Sequence, residues 1–283
     1  MLAPRSLRRS AARQNGLMRA TTRNPTDGTE IAYEVSGSGD PLLLVHGSGL
    51  SKGTWRGLGY LRDLERDFTV IAVDLRGHGR SGKPHDAASY QPEAFIADVF
   101  AVLDATGLGP VHFVGYSIGA RIGLRIAAAN PERLRTLTTI GGSFEAMTDK
   151  IALTFFPTWR EALDTGGMDA FVDAWGAHRG QAIDASTALA FRQNDPVALR
   201  AYFDGIEAAE PLGLDGAAAI TVPTLLLAGT DDPDRFRQSR EAAKRMATAS
   251  FFELIGQDHS SSLLPVDEVC DLIRTYVELQ GAA

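Results

Sequence analysis

The chain has 283 residues, 44% of them apolar and 22% charged, a balance that fits one large α/β domain or two small ones with ample material for a core. No apolar run approaches the roughly 20 residues needed to cross a bilayer, and a formal charge of −7 gives no electrostatic basis for nucleic acid or an anionic membrane as partner. Cys270 is the single cysteine, which excludes an internal disulfide and a cysteine-based metal cluster. It falls in an amphipathic C-terminal helix pattern where a buried thiol is expected, and a reducing cytoplasm is the simplest setting.

Residues 1–26 carry Arg5, Arg8, Arg9, Arg13, Arg19 and Arg23 and no acidic residue, a composition like that of an organelle transit peptide. The segment reads as a disordered basic leader with no function attached. Residues 29–35 alternate apolar and polar positions, which predicts a half-exposed strand. Leu42-Leu43-Leu44-Val45 is a continuous apolar run, as a strand buried on both faces of a parallel sheet would be. It ends in His46-Gly47-Ser48-Gly49. A second such run, 70–73, ends in Asp74-Leu75-Arg76-Gly77-His78-Gly79-Arg80-Ser81. Helical spacing of Phe95, Val99, Val102 and Leu103 predicts a helix over about 92–106.

The next run, Val111 to Val114, breaks at Gly115-Tyr116-Ser117-Ile118-Gly119, the G-x-S-x-G pattern of a nucleophile elbow. At so sharp a strand-to-helix turn, side chains at 115 or 119 would collide with backbone, and their absence pushes the Ser117 hydroxyl outward. The N–H of Ile118 then opens a helix, predicted over 118–129, where donors are unpaired and an anion is favoured. Taken alone, the pattern reads equally well as an ordinary tight turn.

After a strand at 134–140 the texture changes. Residues 143–216 hold no buried strand pattern but helical pieces carrying Trp159, Phe171, Trp175, Phe191, Tyr202 and Phe203, most of them read as that segment's own core. The α/β rhythm resumes with a strand ending at Gly229, a helix near 235–247, a strand over 251–255 and a helix over 266–279. Alternation of strand and helix implies a mostly parallel sheet with helices on both faces. The expected units are the leader (1–26), a core in two parts (27–142 and 217–283) and a helical cap (143–216).

A serine nucleophile needs a base and a group to hold that base. After Ser117, Gly229-Thr230-Asp231-Asp232 and Gly256-Gln257-Asp258-His259 both follow strands, so carboxylates and imidazole fall where open sheets collect their active sites. The order Ser, Asp, His is that of α/β hydrolases. With these motifs, His46–Gly49 and the Asp74–Ser81 loop, the chain resembles the α/β-hydrolase-fold superfamily over about residues 28–280, in its serine-nucleophile esterase branch with a helical cap. That resemblance implies Ser117 as nucleophile, His259 as base, and Asp232 as the acid, with Asp231 its competitor and Glu145 a remoter alternative. It also implies the N–H groups of Ser48 and Ile118 as the oxyanion hole, and structural roles for His46, His78 and Arg76.

His85, His112 and His178 lack companions at ligand spacing, so no metal is indicated, and the short glycine pairs lack the continuation of a nucleotide motif, so no cofactor is expected. One departure from the resemblance stands out: Asp258, beside the base, occupies a position where many relatives have glycine, and it either faces solvent or raises the histidine pKa. The implied activity is hydrolysis of a small or medium carboxylic ester, lactone or thioester through an acyl-enzyme. Carbon–carbon bond hydrolysis and cofactor-free perhydrolysis use the same triad, and a ligand-binding receptor with little turnover is the reading from another class.

Overall fold

The computed structural model describes residues 16–281. Its frame is an eight-stranded sheet in the order β1-β2-β4-β3-β5-β6-β7-β8. The strands are β1 (Met18–Arg23), β2 (Glu30–Gly37), β3 (Asp40–Val45), β4 (Phe68–Val73), β5 (Val111–Tyr116), β6 (Leu134–Ile140), β7 (Thr224–Gly229) and β8 (Ala249–Leu254). β1 and β2 run antiparallel to their neighbours and the rest are parallel. Chain order reverses direction across the sheet between β3 and β5, and the carboxyl ends of such strands are the usual place for a ligand.

Helices α1 (Lys52–Leu58) and α2 (Tyr60–Leu64) follow β3, and α3 (Pro92–Thr106) follows β4. Beyond β5 come α4 (Ile118–Ala129), α5 (Lys150–Thr154), α6 (Trp159–Arg179), α7 (Ala185–Arg192), α8 (Pro196–Ala208) and α9 (Gly213–Ala218), and the chain closes with α10 (Pro233–Arg245) and α11 (Val266–Gly281). Period-2 alternation sorts the central strands onto two cores. Leu43, Val45, Ile71, Val73 and Phe113 face α3, α4 and α10. Leu42, Leu44, Val70 and Val114 face α1, α2 and α11, where Cys270 is fully buried.

Two expectations need correction, and two short helices carried no expectation at all. Disorder across 1–26 does not hold for Met18–Arg23, which pairs residue by residue with β2, although the part of that expectation covering 1–15 lies outside the described residues. Buried Asn24 anchors the end of that strand, donating through Nδ2 to Asp98 Oδ1 at 2.7 Å and to the Ala94 carbonyl at 3.3 Å. The β2 strand is not half-exposed: it lies inside the sheet, and its Glu34 is buried because Arg56 neutralises it at 2.7 Å. α1 and α2 give little periodic signal, the first holding two glycines within seven residues.

Between β6 and β7 the aromatic residues pack on one another. Phe155 meets Trp175 with ring centres 5.0 Å apart, Trp159 meets Phe203 at 5.2 Å, and Trp175 meets Phe191 at 5.1 Å. α9 straddles residue 216, where the helical segment was expected to end, and packs on α4 and α10.

Arg76 is wholly buried and grips Asp98 with two parallel bonds, Nε to Oδ2 at 2.6 Å and Nη2 to Oδ1 at 2.7 Å, while Nη1 reaches Asp27 at 2.8 Å and the Ser89 carbonyl at 2.6 Å. This one side chain ties the loop after β4 to α3 and to the turn after β1. Arg76→Met strands the buried Asp98 carboxylate and should lower unfolding free energy by roughly 3–5 kcal/mol in a urea titration. Pairing it with Asp98→Leu should restore much of that loss, because the uncompensated charge goes too.

Candidate active site

The elbow geometry follows from two close approaches. A Cβ at Gly115 would overlap the Gly119 backbone, and one at Gly119 would overlap the carbonyl of Val45 at the end of β3. With both absent, α4 starts directly against β3, and Ser117 takes φ 54° and ψ −113°, a region that side chains rarely adopt. Its N–H donates to the Ile140 carbonyl at 2.9 Å, and its own carbonyl accepts from the Arg121 N–H at 3.1 Å, so the strained residue is held from both sides.

The Ser117 hydroxyl lies 2.9 Å from His259 Nε2, and His259 Nδ1 lies 2.8 Å from Asp232 Oδ2. A carboxylate only accepts, so Nδ1 carries the proton toward Asp232 and Nε2 is free to accept from serine. Asp232 also caps α10, its Oδ1 accepting from the Arg235 N–H at 3.3 Å, which fixes the carboxylate independently of the imidazole. Of the three carboxylates considered, Asp232 is the one at the ring. Asp231 points to solvent beside Thr230, and Glu145 binds Arg237 at 2.8 and 2.9 Å.

Sequence reasoning missed what supports the histidine. The Tyr116 ring stacks on His259 with centres 5.4 Å apart, and its hydroxyl donates to the His259 carbonyl at 2.8 Å. Burial pushes the Tyr116 phenol above its ordinary range, so it remains a donor. Gly141 sits against the imidazole with φ 60°. Tyr116 occupies a variable position of the elbow pattern, and nothing in the spacing marks it. Asp258 turns toward its own loop: Oδ1 accepts from Ser260 Oγ at 2.8 Å and the Ser261 N–H at 2.7 Å. Partial burial pushes its carboxyl up, but those bonds outweigh it and hold the group below the usual range.

The loop after β3 lies beside Ser117, with Gly47 against the Tyr116 ring and the Ser117 Cβ. Ser48 Oγ shares a 2.6 Å hydrogen bond with Tyr202 Oη of α8, and Asn194 Nδ2 donates to the Gly49 carbonyl at 2.9 Å, so the helical segment grips this loop. Two buried histidines lock it to the loop after β4. The Leu75 N–H donates to His46 Nε2 at 3.0 Å, and the Gly49 N–H donates to His78 Nε2 at 3.0 Å. Each ring's Nδ1 donates to a local carbonyl, Gly47 for His46 and Arg76 for His78.

A groove of about 640 Å³ lies elsewhere, along the outer side of this loop between β1, α1 and α7. Among the described residues no group of three or more His, Cys, Asp or Glu is placed to hold a metal ion, and no helix is long and apolar enough to cross a membrane.

The alpha/beta hydrolase fold family profile matches residues 40–245. The chain belongs to the α/β-hydrolase fold family. A non-heme haloperoxidase of Rhodococcus erythropolis is 34% identical over 73% of this chain and 80% of its own. The (E)-2-((N-methylformamido)methylene)succinate hydrolase of Acinetobacter baylyi is 27% identical over 87% and 93%. The enol-lactonase structure from Burkholderia xenovorans LB400 superposes with a TM-score of 0.76 at 23% identity, covering 92% of this chain and all of that one, a likeness of fold. Family and relatives support hydrolase activity.

Burial holds His46 below the ordinary histidine range, and burial beside the His46 ring takes His78 to about 3. Burial and Arg135 take His112 to about 4. Folded-state values below the unfolded value of about 6.5 mean that the unfolded chain binds more protons once the pH drops under it, so stability present above that point is lost on acidification. The urea midpoint should therefore fall between about pH 6.5 and 5, before most carboxylates titrate. A midpoint that stays level across that window would mean the rings ionise without disturbing the loops.

Proposed function

We propose that this α/β-hydrolase-family protein is a serine hydrolase that cleaves a small or medium carboxylic ester, lactone or thioester through an acyl-enzyme. The observation that carries the reading is the unbroken relay of two hydrogen bonds, 2.9 Å from Ser117 to His259 and 2.8 Å from His259 to Asp232, at the switch point of the sheet. Ser117 Oγ attacks the acyl carbon while His259 Nε2 takes its proton. Asp232 holds the ring orientation and stabilises the imidazolium. The tetrahedral oxyanion is received by the N–H groups of Ser48 and Ile118, each such donor being commonly worth on the order of 10²–10³ in rate.

His259 then gives its proton to the departing alkoxide or thiolate, which leaves the acyl group on Ser117. Water, deprotonated by the same Nε2, attacks that ester and returns the proton to Ser117. The α5–α8 segment acts as the cap, its Tyr202 and Asn194 gripping the oxyanion loop from above. The Acinetobacter relative, named for hydrolysing a small succinate derivative, is in keeping with a substrate of this size. The haloperoxidase relative brings in perhydrolysis, in which hydrogen peroxide replaces water as the group that resolves the acyl-enzyme. The residues and their roles are unchanged in that reading.

Ser117→Ala should abolish p-nitrophenyl acetate turnover and labelling by a fluorophosphonate while leaving the circular-dichroism spectrum intact. Asp232→Asn keeps the helix cap but removes the charge opposite the imidazolium, and kcat should fall on the order of 10⁴. Turnover that survives Ser117→Ala would refute the assignment.

A further inference from the structure

Helix α4 presents Ile118, Arg121, Ile122 and Arg125 along one stripe, spaced i, i+3, i+4 and i+7. With Tyr90 and Ile206 the stripe walls a cavity of about 20 Å³ that starts at Ile118, beside the proposed oxyanion hole, and no carboxylate lines it. The volume is room for about one water.

Arg121 is buried, and all of its hydrogen-bond acceptors are neutral. Nη1 donates to the Ser143 carbonyl at 3.1 Å, to Ser143 Oγ at 3.0 Å and to the Glu145 carbonyl at 2.8 Å. Among the described residues it pairs with no carboxylate, whereas buried Arg76 has Asp98 and Asp27. A guanidinium offers five N–H donors, and an enclosed one without a counter-ion is unfavourable. Arg125 donates to the neutral Glu210 carbonyl, and Arg235 has a single weak 3.5 Å approach to Asp234. Burial, then the like charges of Arg235 and Arg125, bring the Arg121 guanidinium down to about 10.

Holding the Ser143–Glu145 loop does not by itself account for this arginine. Gln238 Oε1 already pins that loop, accepting from Ser143 Oγ at 2.9 Å, the Phe144 N–H at 3.1 Å and the Glu145 N–H at 3.3 Å. The Glu145 carboxylate acts on Arg121 only from a distance and is itself bonded to Arg237, so no anion is in hydrogen-bond contact with this guanidinium.

We propose that the substrate's acyl group carries a carboxylate of its own, received by Arg121 with Arg125 beyond it, so that the preferred substrate is a hemi-ester, lactone or thioester of a dicarboxylic acid. The inference rests on the serine-hydrolase reading above. Arg121 follows Ile118 by three residues, about 4.5 Å along the helix axis, which suits a spacer of roughly three or four carbons between the two carbonyl groups. The cavity as it stands has room for about one water, so entry of that chain requires its wall to open.

Monomethyl glutarate and monomethyl adipate are compared with methyl pentanoate and methyl hexanoate by acid release. Wild-type kcat/KM should favour the acidic esters by roughly ten- to a hundredfold, the worth of one charge-assisted contact. Arg121→Gln should pull that ratio toward one, and Arg121→Lys should keep part of it, retaining the charge without the fork. Glutarate should inhibit wild-type methyl pentanoate hydrolysis more strongly than butyrate does, a test that needs no variant to fold. Serine-dependent turnover of neutral esters with no acid preference, or Arg121→Gln lowering both classes by one factor, would overturn the inference and spare the hydrolase reading. No turnover of any ester, together with no fluorophosphonate labelling of Ser117, would overturn both.

Discussion

The packing of the first turn of α4 against the end of β3 is the constraint on which the rest of the site depends. Gly119 lies under the Val45 carbonyl and Gly115 under the Gly119 backbone, with no space for a side chain at either position. That contact brings the ends of β3 and β5 together at the switch point of the sheet. It also forces Ser117 into a conformation that costs about 1–3 kcal/mol in such regions. The strain is local and is held by the bond to Ile140 in β6, so the sheet that positions the serine also maintains its distortion.

Three histidines near this contact show how surroundings assign a role to one side chain. His46 and His78 are enclosed, each ring accepts a backbone N–H, and each is held neutral. Their task is to join the loops after β3 and β4. His259 is part-exposed, its Nε2 meets a hydroxyl and its Nδ1 meets a carboxylate. Only this third ring has a partner that can give up a proton and another that can stabilise the charge gained. Asp232 divides its two oxygens in the same way, one on a helix terminus and one on the imidazole.

Much of this fold is legible in the sequence. Apolar runs such as Leu42–Val45 declare strands buried on both faces, and the ends of those strands carry the serine, the aspartate and the histidine in chain order. What stayed hidden depends on neighbours far apart in sequence. Glu34 reads as a surface position in an alternating strand until Arg56, 22 residues later, neutralises it. β1 is a polar, mostly exposed run held by its pairing with β2 and by Asn24 beyond its end meeting Asp98, 74 residues on. The support of His259 by Tyr116 and the grip of Tyr202 on Ser48 leave no periodic trace, because each involves a single side chain. The resemblance points to Asp232 over Asp231 and Glu145, but which carboxylate faces the imidazole depends on side-chain direction, which spacing does not contain.

The charge of the whole chain is likewise a poor guide to the charge of its site. A formal −7 argues against polyanionic partners, since long-range fields sum over the surface. At contact distance the sum is irrelevant, and the enclosed groups decide. Most acidic residues here are exposed and screened, whereas the α4 stripe that begins beside Ser117 holds two guanidiniums and no carboxylate. An anionic substrate would meet net repulsion at long range that falls off within about 10 Å at 0.1 M salt, and attraction at the end of its path, where solvent no longer screens. An acidic exterior and a basic interior are therefore compatible in one molecule.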